Sequence, residues 1–129
     1  MHDKYEKQIE QIKEQETMKN IEKRANELAK YIFKNKDFVI FPANSINAMI
    51  DESRQQNNCV RTYTEKYSKG ECDIYFMRRV DRPSISLVTV EVKNNKIVQK
   101  RTKNNAITNK KQNEFLNMWQ KKVLERVAV

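Results

Sequence analysis

Glycine occurs once in this 129-residue chain, proline twice, cysteine twice and histidine once, at position 2. Two cysteines and one histidine cannot supply the roughly four nitrogen and sulfur ligands of a structural zinc. The cysteines form no C-x-x-C, and two of them make no disulfide framework, so both thiols are expected reduced and intracellular. No metal site and no cofactor is expected. The N-terminus lacks the apolar core of a signal peptide, and no run approaches a membrane span, which points to a soluble, cytoplasmic protein.

Charge is what the chain has in excess. Its formal net charge is +9, and ten Lys/Arg against two Asp/Glu in residues 93–129 account for nearly all of it. A one-sided basic segment suggests a polyanion as partner, nucleic acid first; the plainer alternative is a solvated basic face. The stretch 93–111, KNNKIVQKRTKNNAITNKK, holds seven Lys/Arg and no acid. Lys93, Lys96, Lys100, Arg101, Lys103, Lys110 and Lys111 are expected along one edge, with Asn104 and Asn105 adding donors for phosphate. The scarcity of aromatics within the stretch argues against a single-strand stacking platform.

Residues 3–36 contain no Gly or Pro and are rich in Glu, Lys and Gln, predicting a long helix. Met18, Ile21, Ala25, Leu28 and Ile32 form one apolar stripe, so its second half should dock. Tyr5, Ile9 and Ile12 form an earlier, out-of-phase stripe on a half that projects or pairs with itself or another protein. FVIF (38–41) reads as a short strand or packing segment stopped by Pro42. NSINAMIDESRQQ reads as a helix capped by Asn44 or Ser45, with Ile46, Met49 and Ile50 on one face. NNCVRTYTEKYSKGE continues it as a second or kinked helix with Cys59, Tyr63 and Tyr67 at i, i+4, i+8, ended by Gly70 in a left-handed cap.

A three-stranded antiparallel meander is expected next: 72–80, 84–92 and 96–102, with Asn94-Asn95 as a two-residue hairpin. In the middle strand Ile85, Leu87, Thr89 and Glu91 should face one way and Ser86, Val88, Val90 and Val92 the other. Asn109 and Gln112 have capping-box spacing, opening a last helix whose apolar face is Phe115, Leu116, Trp119, Val123 and Val127. The fold class is therefore α+β, with an extended helix at 1–36 and a compact domain at 37–129.

Glu91, an acid at the end of the most apolar strand, invites three readings: a structural ion pair, an active-site group, or a simply exposed carboxylate. It pairs with Arg78 or Arg101 on a neighbouring strand, or it acts as a general base, or as a metal ligand with Asp73 or Asp81. Cys59 lacks a histidine to activate it, so a small packing residue is the simpler reading. Tyr63, Tyr67, Tyr75, Phe76 and Trp119 are expected mainly in the core.

Taken together, ESRQQNNCVRTY, GECDIYFMR, VTVEVKNNKIVQKRTKNN and the closing FLNMW resemble the PcfJ-like proteins, over about residues 38–124. The positions that match are Glu52, Cys59, Val60, Tyr63, Gly70, Arg78, Thr89, Glu91, Gln99, Arg101, Asn105 and Trp119. Ser53 and Thr102 stand where that pattern tends to have Gly, Gln56 where it has Leu, and Asn57 and Asn58 where it is rich in His. The resemblance implies a setting on conjugative plasmids, phages and related elements of low-GC Gram-positive bacteria. The function expected first is a non-enzymatic accessory protein that binds DNA, RNA or a ribonucleoprotein through the basic edge, for instance to block a host defence complex such as a CRISPR effector. The alternatives are a small nuclease or hydrolase using Glu91 with Arg78, Gln99 and Arg101, and a protein-binding module acting through residues 3–36.

Overall fold

A computed structural model of the chain describes residues 2–127, with the side chains of 6–60 and 62–126. The first helix, α1 (His2–Leu28), stops sooner than its composition suggests, giving way to a 3-10 turn at Ala29–Tyr31 and to extended backbone at Ile32. Phe33–Lys34 is already a strand, β1, and β2 (Phe38–Pro42) turns back on it. The reason is local chemistry at Asn35. Its Oδ1 accepts the backbone N–H groups of Asp37 and Phe38, both at 2.8 Å, closing an Asx-type turn in place of the last helical turn.

The expected meander is one side of a larger sheet, extended beyond its first strand by two more. Strands β1, β2, β3 (Asp73–Arg79), β4 (Val88–Lys93) and β5 (Lys96–Arg101) lie side by side in chain order, all antiparallel, making five strands where three were expected. FVIF is the strand that fills the far edge of β3, with Ile40 opposite Met77 and Phe41 opposite Phe76. The β4–β5 hairpin turns on Asn94 and Asn95, both at positive φ, as a two-residue turn requires. β4 begins only at Val88, because the segment before it is claimed by a helix. Gln55 accepts the Ser86 N–H at 2.7 Å and donates to the Ser84 carbonyl at 3.3 Å.

Helices cover both faces. One face, carrying Tyr75, Met77, Val88, Val90 and Val92, is sealed by α4 (Lys110–Trp119). There Phe115 stacks on Phe33 and meets Phe38 edge-on, and Trp119 meets Tyr75 at 4.7 Å between centroids. Each buried valine of β4 contributes roughly 1.5–3 kcal/mol by leaving water. The capping box of Asn109 and Gln112 forms as expected, both hydrogen bonds present. Past Trp119 the helix widens into one π-turn (Gln120–Leu124), then closes with a short α5 (Glu125–Val127). That extra residue rotates Leu124, not Val123, fully into the core. The side chain of Val127 lies outside the described residues.

The other face, with Phe76, Arg78, Thr89 and Glu91, is covered by α2 (Ile46–Gln56) and the segment after it. Ser45 is the N-cap, its Oγ accepting the Ala48 N–H at 2.9 Å. α2 ends at Asn57 in the left-handed region, so the chain does not continue as one helix. A 3-10 turn (Val60–Tyr63) leads into the short α3 (Thr64–Ser68). Cys59 is thereby exposed and off the packing side, while Tyr67 is fully buried and donates its hydroxyl to the Ala43 carbonyl at 2.7 Å. Gly70 takes φ +77°, the left-handed cap expected of it.

The second half of α1 docks on α3, burying Ile21 and Leu28 and pairing Arg24 with Asp73 on β3. Ile9, Ile12 and Met18 remain 41–56% exposed, and Ile32, beyond the helix, is 50% exposed, so the apolar stripe is shorter than its spacing suggests. Tyr5's side chain lies outside the described residues. No helix among the described residues is long and apolar enough to cross a membrane.

The end of α4 is tied to the 3-10 turn that follows α1 by a bond from Trp119 Nε1 to the Tyr31 carbonyl at 2.7 Å. Trp119→Phe leaves that carbonyl buried without its donor, and should lower unfolding free energy by about 1–3 kcal/mol in a urea titration followed by circular dichroism.

Candidate functional site

A cavity of about 360 Å³ lies between the segment after α2 and strands β3 to β5. The segment supplies Asn58, Cys59, Val60 and Tyr63; β3 supplies Ile74; β4 supplies Thr89 and Glu91; β5 supplies Gln99 and Arg101, and the following turn Asn105. Strand register places these groups. Glu91 faces Gln99 across the β4–β5 pair and Thr89 faces Arg101, so all four stand on the α2 side of the sheet. Immediately beyond, the register slips so that Val92 faces Ile97, leaving Val98 as a bulge that turns the end of the hairpin. On the opposite side, Gln120 Oε1 accepts the Ile97 N–H at 2.8 Å and ties the bulged strand to the last helix.

Asparagine frames the cavity. Asn57, Asn104 and Asn105 are all in the left-handed region, and Asn57 Nδ2 donates to Asn104 Oδ1 at 2.8 Å, joining the end of α2 to the turn after β5. Asn58 Oδ1 accepts the Val60 N–H at 3.0 Å and its Nδ2 approaches Thr89 Oγ1 at 3.4 Å, which holds the Cys59 segment over β4.

Behind the cavity sits a buried ion pair. Glu52 of α2 is 0% exposed and Arg78 of β3 6%. Glu52 Oε1 meets Arg78 Nη2 at 2.6 Å, and its Oε2 accepts the Thr89 hydroxyl at 2.6 Å. Arg78 also donates to the Pro83 carbonyl at 3.3 Å and lies over the Phe41 and Phe76 rings, at 5.8 and 5.4 Å. Burial pushes the Glu52 carboxyl above its ordinary value, although the Thr89 hydrogen bond and the Arg78 charge pull the other way.

This arrangement corrects the expected pairing. Arg78 belongs to Glu52 and does not line the cavity, whereas Glu91 has Lys93 Nζ 4.0 Å from its Oε2. Asp73 and Asp81, the alternative metal partners of Glu91, pair with Arg24 and Arg79 instead. Among the described residues no group of three or more His, Cys, Asp or Glu side chains could hold a metal ion.

Tyr67, Tyr75, Phe76 and Trp119 are core, as expected, but Tyr63 is half-buried and walls the cavity. The thiols differ. Cys59 is exposed at the cavity, while Cys72 is buried, its thiol pushed up to about 11 by burial and by the nearby Glu91 and Asp73 charges.

The basic stretch divides. Lys93, Lys96, Lys100, Arg101 and Lys103 lie on the hairpin and the turn after it. Lys110 and Lys111 open α4, with Lys111 Nζ 3.9 Å from Asp37 at the β1–β2 end of the sheet. Asn58 and Ile74 also line the cavity, although neither was among the expected site residues. Asn58 had a signal, its place where the resembled pattern differs from this sequence; Ile74 looks like any core isoleucine.

Breaking the buried pair has a definite cost. Glu52→Ala leaves Arg78 charged and buried, and should destabilise the protein by about 3–5 kcal/mol, as read by urea unfolding. Adding Arg78→Met should restore much of that loss, since two apolar groups leave no charge behind.

No curated protein and no solved structure matches the chain significantly. A family model described as PcfJ-like protein does, over residues 1–116, a match that takes in α1 and ends just short of Trp119. Matched over most of its length, the chain belongs to the PcfJ-like family.

Proposed function

We propose that this chain is a plasmid-associated accessory protein that binds nucleic acid along its β4–β5 hairpin. The observation that carries the reading is the state of the cations there. Among the described residues, Lys96, Lys100, Arg101 and Lys103 have no carboxylate within 4.0 Å, and all lie on the edge strand or its trailing turn. Such cations attract phosphate and release counterions on binding. Lys111 is drawn toward Asp37, and the four hairpin cations without a carboxylate give a footprint of about four phosphates. Blocking the nucleic-acid channel of a host ribonucleoprotein, a CRISPR effector among them, is one use for a surface of this kind.

Neutralising about four phosphates of a single strand gives a log–log salt slope of about −3. Reversing Lys96, Lys100 and Lys103 to Glu, none of which lines the cavity, should weaken oligonucleotide binding by at least about tenfold at low salt and flatten that slope. Fluorescence anisotropy measures both, and unchanged binding removes the hairpin as the site.

A hydrolase is the second reading, favoured by one feature. Glu91, Gln99 and Arg101 meet in one cavity, where a carboxylate could serve as general base and a guanidinium could steady a phosphoryl oxygen. Incubation with labelled RNA and DNA, with and without Mg²⁺, tests it. Cleavage lost in Glu91→Gln and kept in Cys59→Ala establishes the enzyme; no cleavage by the native protein leaves binding alone.

A further inference from the structure

We infer that the cavity beside the hairpin receives one unstacked nucleobase, and that the base it suits is guanine. The inference deepens the nucleic-acid reading above: cations on the hairpin hold the backbone, and the cavity selects what hangs from it.

Size and shape come first. At about 360 Å³ the cavity falls within the roughly 300–1,000 Å³ of small-molecule sites, room for one base but not for a paired duplex. Its walls are mixed in the way a base requires. Val60 and Ile74 offer an apolar floor and Tyr63 an aromatic ring, a surface for the faces of a flat heterocycle. The aromatic that the basic stretch lacks is brought in by Tyr63, thirty residues before the stretch begins.

The polar groups then discriminate. Among the described residues Glu91 is the one carboxylate lining the cavity, its side chain only 13% exposed, so an unsuitable partner leaves it poorly satisfied. A carboxylate has two acceptor oxygens and no donor. Guanine presents adjacent N–H donors, N1–H and the N2 amino group, and can satisfy both oxygens at once. Adenine and cytosine offer one amino group beside a bare ring nitrogen, and uracil one N–H between two carbonyls that a carboxylate repels. Gln99, directly across from Glu91, carries an amide N–H suited to guanine O6, and Arg101 can reach O6 and N7 or the adjoining phosphate. Lys93, whose Nζ is 4.0 Å from Glu91, is 54% exposed, so its displacement into water is easy.

The full-length chain tests this by calorimetric titration with GMP, AMP, CMP and UMP. GMP should bind, with the other three at least about tenfold weaker, the discrimination expected of a paired hydrogen-bond contact. Glu91→Gln should weaken GMP by about tenfold or more. Gln99→Ala, an exposed edge-strand change that leaves the core intact, should weaken it too, and keeps the test valid should the Glu91 variant fail to fold.

A second readout is alkylation of Cys59, which lines the same cavity. Saturating GMP should slow it, while buried Cys72 stays unreactive throughout. No saturable binding up to about 5 mM, equal binding of all four nucleotides, or a GMP affinity unmoved by both substitutions would overturn the inference. If oligonucleotides still bind with the expected salt slope while GMP does not, the cavity assignment fails and the hairpin reading survives. If GMP binds and charge reversal on the hairpin changes nothing, the reverse holds.

Discussion

The site depends on the hydrogen-bonded ion pair of Glu52 and Arg78. Each charge is almost wholly removed from water, so each needs the other, and Thr89 takes up the second carboxylate oxygen. The pair is a constraint more than a source of stability, because desolvation opposes much of the Coulomb attraction. Its consequence is positional. It sets α2 at one height above β3 and β4, which fixes where α2 ends and where Cys59 to Tyr63 must hang. A cavity over the sheet follows from that fixed distance.

Asparagine does in this chain what glycine does in many others. Among the described residues the left-handed positions are occupied by five asparagines and by Gly70. Asparagine tolerates that conformation because its short polar side chain can bond locally, and it brings an amide with it. At Asn94 and Asn95 the amide is incidental to a tight hairpin. At Asn57 and Asn104 the amides bond to each other and join two turns, and at Asn105 a residue needed for backbone shape also lines the cavity. The scarcity of glycine thus shaped the chemistry as well as the backbone.

The sheet separates structure from candidate chemistry by its alternation. On the α4 side lie valines and aromatics; on the α2 side, one residue out of phase, lie Arg78, Thr89, Glu91, Gln99 and Arg101. Eight of the twelve positions that carry the family resemblance, among them Cys59, Tyr63, Glu91, Gln99 and Asn105, line the one cavity. Glu52 and Arg78 stand directly behind it, whereas Gly70 and Trp119 serve the backbone and the core. Asn58 also faces the cavity, and among the described residues that line it there is no histidine, the group most suited to moving protons at neutral pH.

Local features were legible from residues alone. The alternation of β4, the Asn94-Asn95 hairpin, the Asn109–Gln112 capping box, the Gly70 cap and the apolar face of α4 each depend on neighbours a few positions apart. Phe33–Lys34 was not legible, because Asn35 closes a turn inside a stretch of helix-favouring composition. Nor was the late start of β4, where Gln55 of α2 takes the backbone groups a strand would use. Arg78 could have served Glu91 or Glu52 with equal chemical sense, and only the height of α2 above the sheet chose between them. The sequence by itself therefore determined the α+β class, the type of the longer elements, the two faces of the middle strand and a C-terminal excess of positive charge. Tertiary structure alone decided which charges are neutralised, which aromatic stands beside Glu91 and where an opening remains, because burial, pairing and cavity shape belong to distances between segments far apart in the chain.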